Sequence, residues 1–83
     1  MERYYFHVED GRVEQDTEGT ELPGKDAAYS EAVGMMWHTL RDRPEKLNES
    51  DGVLTRVQTA AGLTLLTIHT CVTYAPSFSR PQR

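Results

Sequence analysis

Between Asp26 and Asp42 the chain holds no proline, and apolar residues fall at Ala28, Ala32, Val33, Met36 and Leu40. That three-to-four spacing gathers them on one face of a helix. This stretch constrains the fold more than any other, because the segments on either side of it carry strand patterns. Asp26 stands near the expected start, and Arg41 and Arg43 near the end, each sign suited to the helix dipole. Gly34 costs such a helix about 1 kcal/mol relative to alanine. Pro44 lacks the N–H a further turn needs and ends it.

Ahead of the helix, Arg3 to Glu9 is rich in aromatic and β-branched residues and predicts a strand. Asp10-Gly11 suits a tight turn, and Arg12 to Asp16 reads as a short, charged return strand at a sheet edge. Thr17 to Gly24, broken by Gly19, Pro23 and Gly24, is expected to be a loop. After the helix, Glu45 to Gly52 is a polar connector. Val53 to Gln58 and Leu63 to Thr70 are two more strands, joined through Thr59-Ala60-Ala61-Gly62, where Gly62 suits the left-handed position of a turn with a bulge.

The expected fold is therefore α+β, in the order ββαββ: a four-stranded, largely antiparallel sheet with one helix packed on one face. If the first strand pairs with the third, the spatial order is 2-1-3-4. At 83 residues and 9.4 kDa the chain supports one domain, and so short a chain buries only about 60% of its unfolded surface. Residues 1–73 are assigned to that domain. The stretch 74–83, with Pro76, Ser77, Ser79, Arg80, Pro81 and Arg83, reads as a flexible tail.

Charge narrows the function classes. Residues 1–31 carry nine acidic groups against three basic ones, and residues 32–83 carry six basic against four acidic, giving −4 for the whole chain. An acidic front half repels phosphate backbones, so nucleic-acid binding is not expected. No apolar run approaches the roughly 18 residues of a membrane span, and the Met1-Glu2-Arg3-Tyr4 start has no signal-peptide layout. The single cysteine, Cys71, builds no disulfide framework, which points to a reducing, cytoplasmic compartment.

Arg3-Tyr4-Tyr5-Phe6-His7-Val8, Asp10-Gly11 and Asp16-x-Glu18-Gly19-x-Glu21-Leu22-Pro23 resemble a family of short bacterial proteins, the domain of unknown function family 6894. The likeness continues through Ala27-Ala28, Glu31-Ala32, Asp51-Gly52 and Gly62-x-x-Leu65-Leu66-Thr67-Ile68, so it covers about residues 3–70. It implies a shared fold and a bacterial cytosolic setting, and it brings no activity, cofactor or substrate. Two departures stand out: Gly24 replaces the aspartate often found after the proline, and Tyr29 and Trp37 occupy helix positions expected to be polar.

Strand alternation assigns Phe6, Val57, Leu66 and Ile68 to the helix-covered face. The opposite face then holds Tyr5, His7, Leu54, Arg56, Leu63, Leu65 and His69, and one helix cannot cover both. Burying a leucine is worth roughly 1.5–3 kcal/mol, so a second copy packed sheet to sheet is expected. Tyr29, Val33 and Trp37 form a stripe along one helix flank, which suits either the core or a partner. The candidate interaction surface is thus Tyr5, His7, Leu54, Leu63, Leu65, Tyr29 and Trp37.

Catalytic and metal-binding sets are weaker. His69 and Cys71 share a strand face and His7 is a conceivable third ligand, but zinc wants three or four ligands and no CxxC or HExxH reinforces the set. A Cys71–His69 nucleophile pair lacks an orienting group. Asp16-x-Glu18-Gly19-x-Glu21 echoes a calcium loop without its frame, and turn formation accounts for it equally well. Tyr5 with His7 imitates an RNA-stacking platform, against the prevailing charge. No catalytic residue, metal or cofactor is assigned. The expected function is a non-catalytic, homo-oligomeric interaction module, open to another protein as partner and with no membrane contact. The alternative is a small regulatory nucleic-acid-associated or toxin–antitoxin-type protein.

Overall fold

A computed structural model describes residues 1–49 and 52–78. Its central element is β1 (Glu2–Glu9), the aromatic and β-branched run at the start of the chain. Asp10-Gly11 turns the chain into β2, which is only Val13–Glu14, shorter than the Arg12 to Asp16 strand expected. The segment read as a loop contains a further strand, β3 (Thr20–Leu22). Both β2 and β3 pair with the same outer edge of β1, β2 at Val8 and Glu9 and β3 at Glu2 to Tyr4. On its other side β1 pairs with β4 (Val53–Thr59), and β4 pairs with β5 (Thr64–Thr70). The sheet is antiparallel throughout, in the order β2-β1-β4-β5 with β3 beside β1, so the strands number five rather than four.

Between β2 and β3 the edge of β1 has no strand beside it, and a side chain fills the gap. The Asp16 carboxylate accepts from Phe6 N–H at 3.1 Å, and its second oxygen accepts from the N–H groups of Glu18 (3.1 Å) and Gly19 (2.9 Å). Asp16 N–H in turn donates to His7 Nδ1 at 3.1 Å. Arg3 closes the loop from the other end, donating to Glu18 O at 2.8 Å and to the Glu21 carboxylate at 2.7 Å. Gly19 lies at φ +74°, and a Cβ there would fall 2.7 Å from Arg3 Cγ and 3.0 Å from Tyr4 O. The loop therefore runs so close to β1 that only glycine fits.

Helix α1 spans Lys25–Asp42. Gly24 caps its start with extended backbone and no side-chain hydrogen bond. Its end is closed by Arg43 N–H donating to Thr39 O at 2.8 Å, just before Pro44. Ala28, Ala32 and Met36 are buried, and the two alanines bring the helix backbone close to the sheet. They form the core with Tyr4, Phe6 and Val57, and Leu22, Met35, Leu65, Leu66 and Ile68 pack around it. Val33 is a correction: the spacing placed it on the inner face, but it is 43% exposed.

The polar connector after the helix contains a four-residue helix, α2 (Lys46–Glu49); residues 50 and 51 of that connector lie outside the described residues. Past β5, the Tyr74 and Phe78 rings stack at 5.0 Å, and Phe78 N–H donates to Ala75 O at 2.9 Å. Residues 79–83 of the expected tail lie outside the described residues. Among the described residues no helix is long and apolar enough to cross a membrane.

Two glycines separate conformational need from mere occurrence. Gly19→Ala is expected to lower the unfolding free energy by about 1–3 kcal/mol, from left-handed strain and overlap with β1. Gly34, whose added Cβ meets nothing within 4 Å, is expected to gain up to about 1 kcal/mol on substitution by alanine. Urea denaturation of the two variants checks both signs.

Candidate interaction surface

The face of the sheet away from α1 is more polar than strand alternation predicts. Its cross-strand rows are Glu9, Leu54 and His69; His7, Arg56 and Thr67; and Tyr5, Gln58 and Thr64. Arg56 pairs with Glu9 at 2.7 Å, and Gln58 donates to Thr64 Oγ1 at 3.0 Å. The pairing of β4 with β5 slips between Val57 and Gln58: Val57 faces Leu66 while Gln58 faces Thr64. Leu65 is the extra residue of that bulge, and it packs against the core instead of the open face. Leu63 is 63% exposed and lies in the turn before β5, where its carbonyl accepts from Thr59 N–H at 2.9 Å. The expected greasy patch thus loses Leu65, leaving exposed Leu63 at the turn and half-buried Leu54 and Tyr5.

Tyr5 and His7 belong to the Asp16 loop. A Cβ on Gly19 would lie 3.0 Å from Tyr5 Cε2, so that ring rests against the loop, while His7 Nδ1 receives the Asp16 N–H. An acceptor Nδ1 assigns the neutral ring's proton to Nε2. The calcium echo has an equally local explanation. Both Asp16 oxygens take backbone N–H groups and the Glu21 carboxylate takes Arg3.

The helix offers a different picture. Tyr29 is 58% and Trp37 62% exposed, with Val33 between them. Successive fours advance about 40° around a helix, so the three make one continuous apolar strip. Their spacing was legible in the sequence; their exposure was not. The opposite flank, Met35, His38, Thr39 and Asp42, faces Val8, Asp10 and Glu14 of the first hairpin, with Arg43 and Lys46 closing an open cleft of about 400 Å³. At its base Lys46 donates to the Asp10 carboxylate, whose side chain is only 5% exposed, tying the hairpin tip to α2.

Of the histidine and cysteine candidates, His69 and Cys71 stand together, Cys71 Cβ at 3.1 Å and His69 Nε2 at 3.2 Å from where a Cβ on Gly52 would lie, while His7 and His38 stand apart from them. His7 sits on β1 and His69 on β5 with β4 between them, His38 is in the cleft, and Cys71 is an exposed free thiol past β5. No group of three or more His, Cys, Asp or Glu suited to a metal ion occurs among the described residues.

These observations define a small α+β protein: one long helix on one side of an antiparallel sheet, an apolar strip on that helix, and a reverse face laced with polar pairs. The chain belongs to the family described as Domain of unknown function (DUF6894), which it matches over residues 3–71. Comparison with the curated proteins and with the solved structures found no match.

The buried carboxylates predict an acid limit to stability. Asp10 titrates below its ordinary value because Lys46 donates to it, against an opposing push from burial. For Asp16 burial is the largest influence and pushes upward, but the N–H groups of Gly19, Phe6 and Glu18, with His7, outweigh it, and the net direction is down. Both groups hold protons less tightly folded than unfolded, where an aspartate titrates near about 3.9. Their contribution is complete above that value and disappears as pH falls through the folded values. The urea midpoint is expected to drop as pH falls below about 4. Asp10→Asn and Asp16→Asn should each flatten that drop.

Proposed function

We propose that this chain is a non-catalytic interaction module that associates with copies of itself through the Tyr29–Val33–Trp37 flank of α1. The exposure of that strip carries the reading. A tryptophan and a tyrosine more than half exposed on a helix whose inner face is mostly alanine are poorly explained as core. Aromatic side chains bury 150–250 Å² when fully covered. Docking what is now exposed would remove on the order of 100 Å² from each ring, roughly 2–3 kcal/mol apiece. A two-fold contact counts each residue twice.

A second copy suits the strip because a two-fold contact sets one apolar flank against the same flank of its partner. Each end of α1 is near neutral, with Lys25 beside Asp26 in the first turn and Arg41 paired with Asp42 at 3.5 Å in the last, so neither end repels a second helix laid beside it. A cytosolic setting suits the exposed free thiol of Cys71. The nucleic-acid alternative has less support: Tyr5 and His7, the residues of its stacking platform, are engaged by the Asp16 loop.

Sedimentation velocity across the micromolar range tests the proposal. The wild-type chain is expected to reach dimer mass at high micromolar concentration. Tyr29→Ala with Trp37→Ala should weaken association at least tenfold, about 1.4 kcal/mol. The monomer's urea midpoint should hardly move, since neither side chain is in the core. A wild-type chain that stays monomeric throughout overturns the reading.

A further inference from the structure

The sheet's two edges are built differently. The β1 edge is covered by β2 and β3, short strands bearing Glu14 and Glu21, and by the Asp16 carboxylate between them. The other edge is β5, Thr-Leu-Leu-Thr-Ile-His-Thr, seven residues with no proline and no Asp, Glu, Lys or Arg. Proteins blunt an open edge with charge, proline or extreme shortness, and β5 has none of these. Among the described residues only β4 pairs with it.

The apolar strip of α1 lies on that same side. Met35, His38, Thr39 and Asp42 face the β1–β2 hairpin. At about 100° per residue Val33 is turned roughly 120–180° away from them, while the helix lies against β4 and β5 more than against β3. The strip therefore looks toward the β5 edge. Charge agrees: Arg56 is the sole Asp, Glu, Lys or Arg within residues 52–78, whereas residues 1–31 hold nine acidic groups.

We infer that β5 pairs antiparallel with β5 of a second copy about a two-fold axis, joining the two sheets into one and laying the two α1 strips against each other. The inference rests on the self-association proposed above and adds where the axis lies. A two-fold axis normal to the sheet puts both helices on one face and makes them antiparallel. It also brings the near-neutral sides together and keeps the acidic ones far apart, beyond the roughly 8 Å over which exposed charges act at physiological salt.

Cross-linking with a short bismaleimide tests this in the full chain carrying Cys71→Ser. Thr67 is the midpoint of β5 and exposed on the open face, where directly opposed Cβ atoms across an antiparallel pair lie about 4.5–5.5 Å apart. Thr67→Cys is expected to give covalent dimer as the main product. Gln58→Cys, on the same face of the interior strand β4, should give almost none. Gly34→Cys, on the solvent side of α1, reports helix contact independently. Dimer mass with a Gly34→Cys product but no Thr67→Cys product overturns the edge pairing and leaves the helix-mediated association standing. Equal products from Thr67→Cys and Gln58→Cys also overturn it. Monomer mass at high micromolar concentration overturns both. Far-UV circular dichroism matching wild type establishes that each variant is folded.

Discussion

β1 has to be satisfied on both edges, and much of the molecule follows from how that is done. β4 runs the length of one edge. The other is shared by two strands of two and three residues, too short to reach each other, so Phe6 N–H falls in the gap between them. A backbone donor left without a partner costs about 1–3 kcal/mol when buried. The Asp16 carboxylate takes that donor and, with its other oxygen, gathers the N–H groups of Glu18 and Gly19. One side chain thus completes the sheet and sets the path of the loop that delivers β3 and then α1. The glycine at 19 is the steric counterpart of the same requirement, since the loop must come within van der Waals contact of Arg3 and Tyr4 to be held this way.

The core built on this frame is small. Tyr4, Phe6 and Val57 from the strands cluster with Ala28 and Ala32 from the helix, and Val53 and Met36 are buried as well. Alanine pairs let a helix lie close to a sheet but contribute little area, so the two aromatics of β1 supply much of the apolar burial. Thr55 is buried among these residues, and no buried side-chain nitrogen or oxygen among the described residues lacks a hydrogen-bond partner. Polar groups are thus met locally. The larger unspent apolar area is on the outside of the helix.

What could be read from the sequence follows the range of each interaction. The helix was legible because its period, its charged ends and Pro44 are all local signals, and its observed span differs by one residue from the expected start. β3 was hidden because Gly19, Pro23 and Gly24 leave only three residues for a strand, and its reason to be extended, the edge of β1, is distant in sequence. Leu65 was placed on the wrong face because alternation assumes an unbroken ladder; one slip of register at Val57 and Gln58 turns it inward. Val33 was assigned to the core because the apolar arc of α1 is wider than the sheet beneath it can cover. Tyr29 and Trp37 were visible as a stripe, and only the placement of the helix over β4 and β5 shows which way the stripe looks.

Trp37 is the sole tryptophan of the chain, and it stands on the outward flank rather than in the interior. Indole emission in this protein therefore reports on the water around one surface, and hardly at all on the integrity of the core. Unfolding leaves its surroundings almost unchanged, whereas contact with another molecule along that flank shifts its colour toward the blue. The molecule carries its own optical label at the place where its partner is proposed to sit.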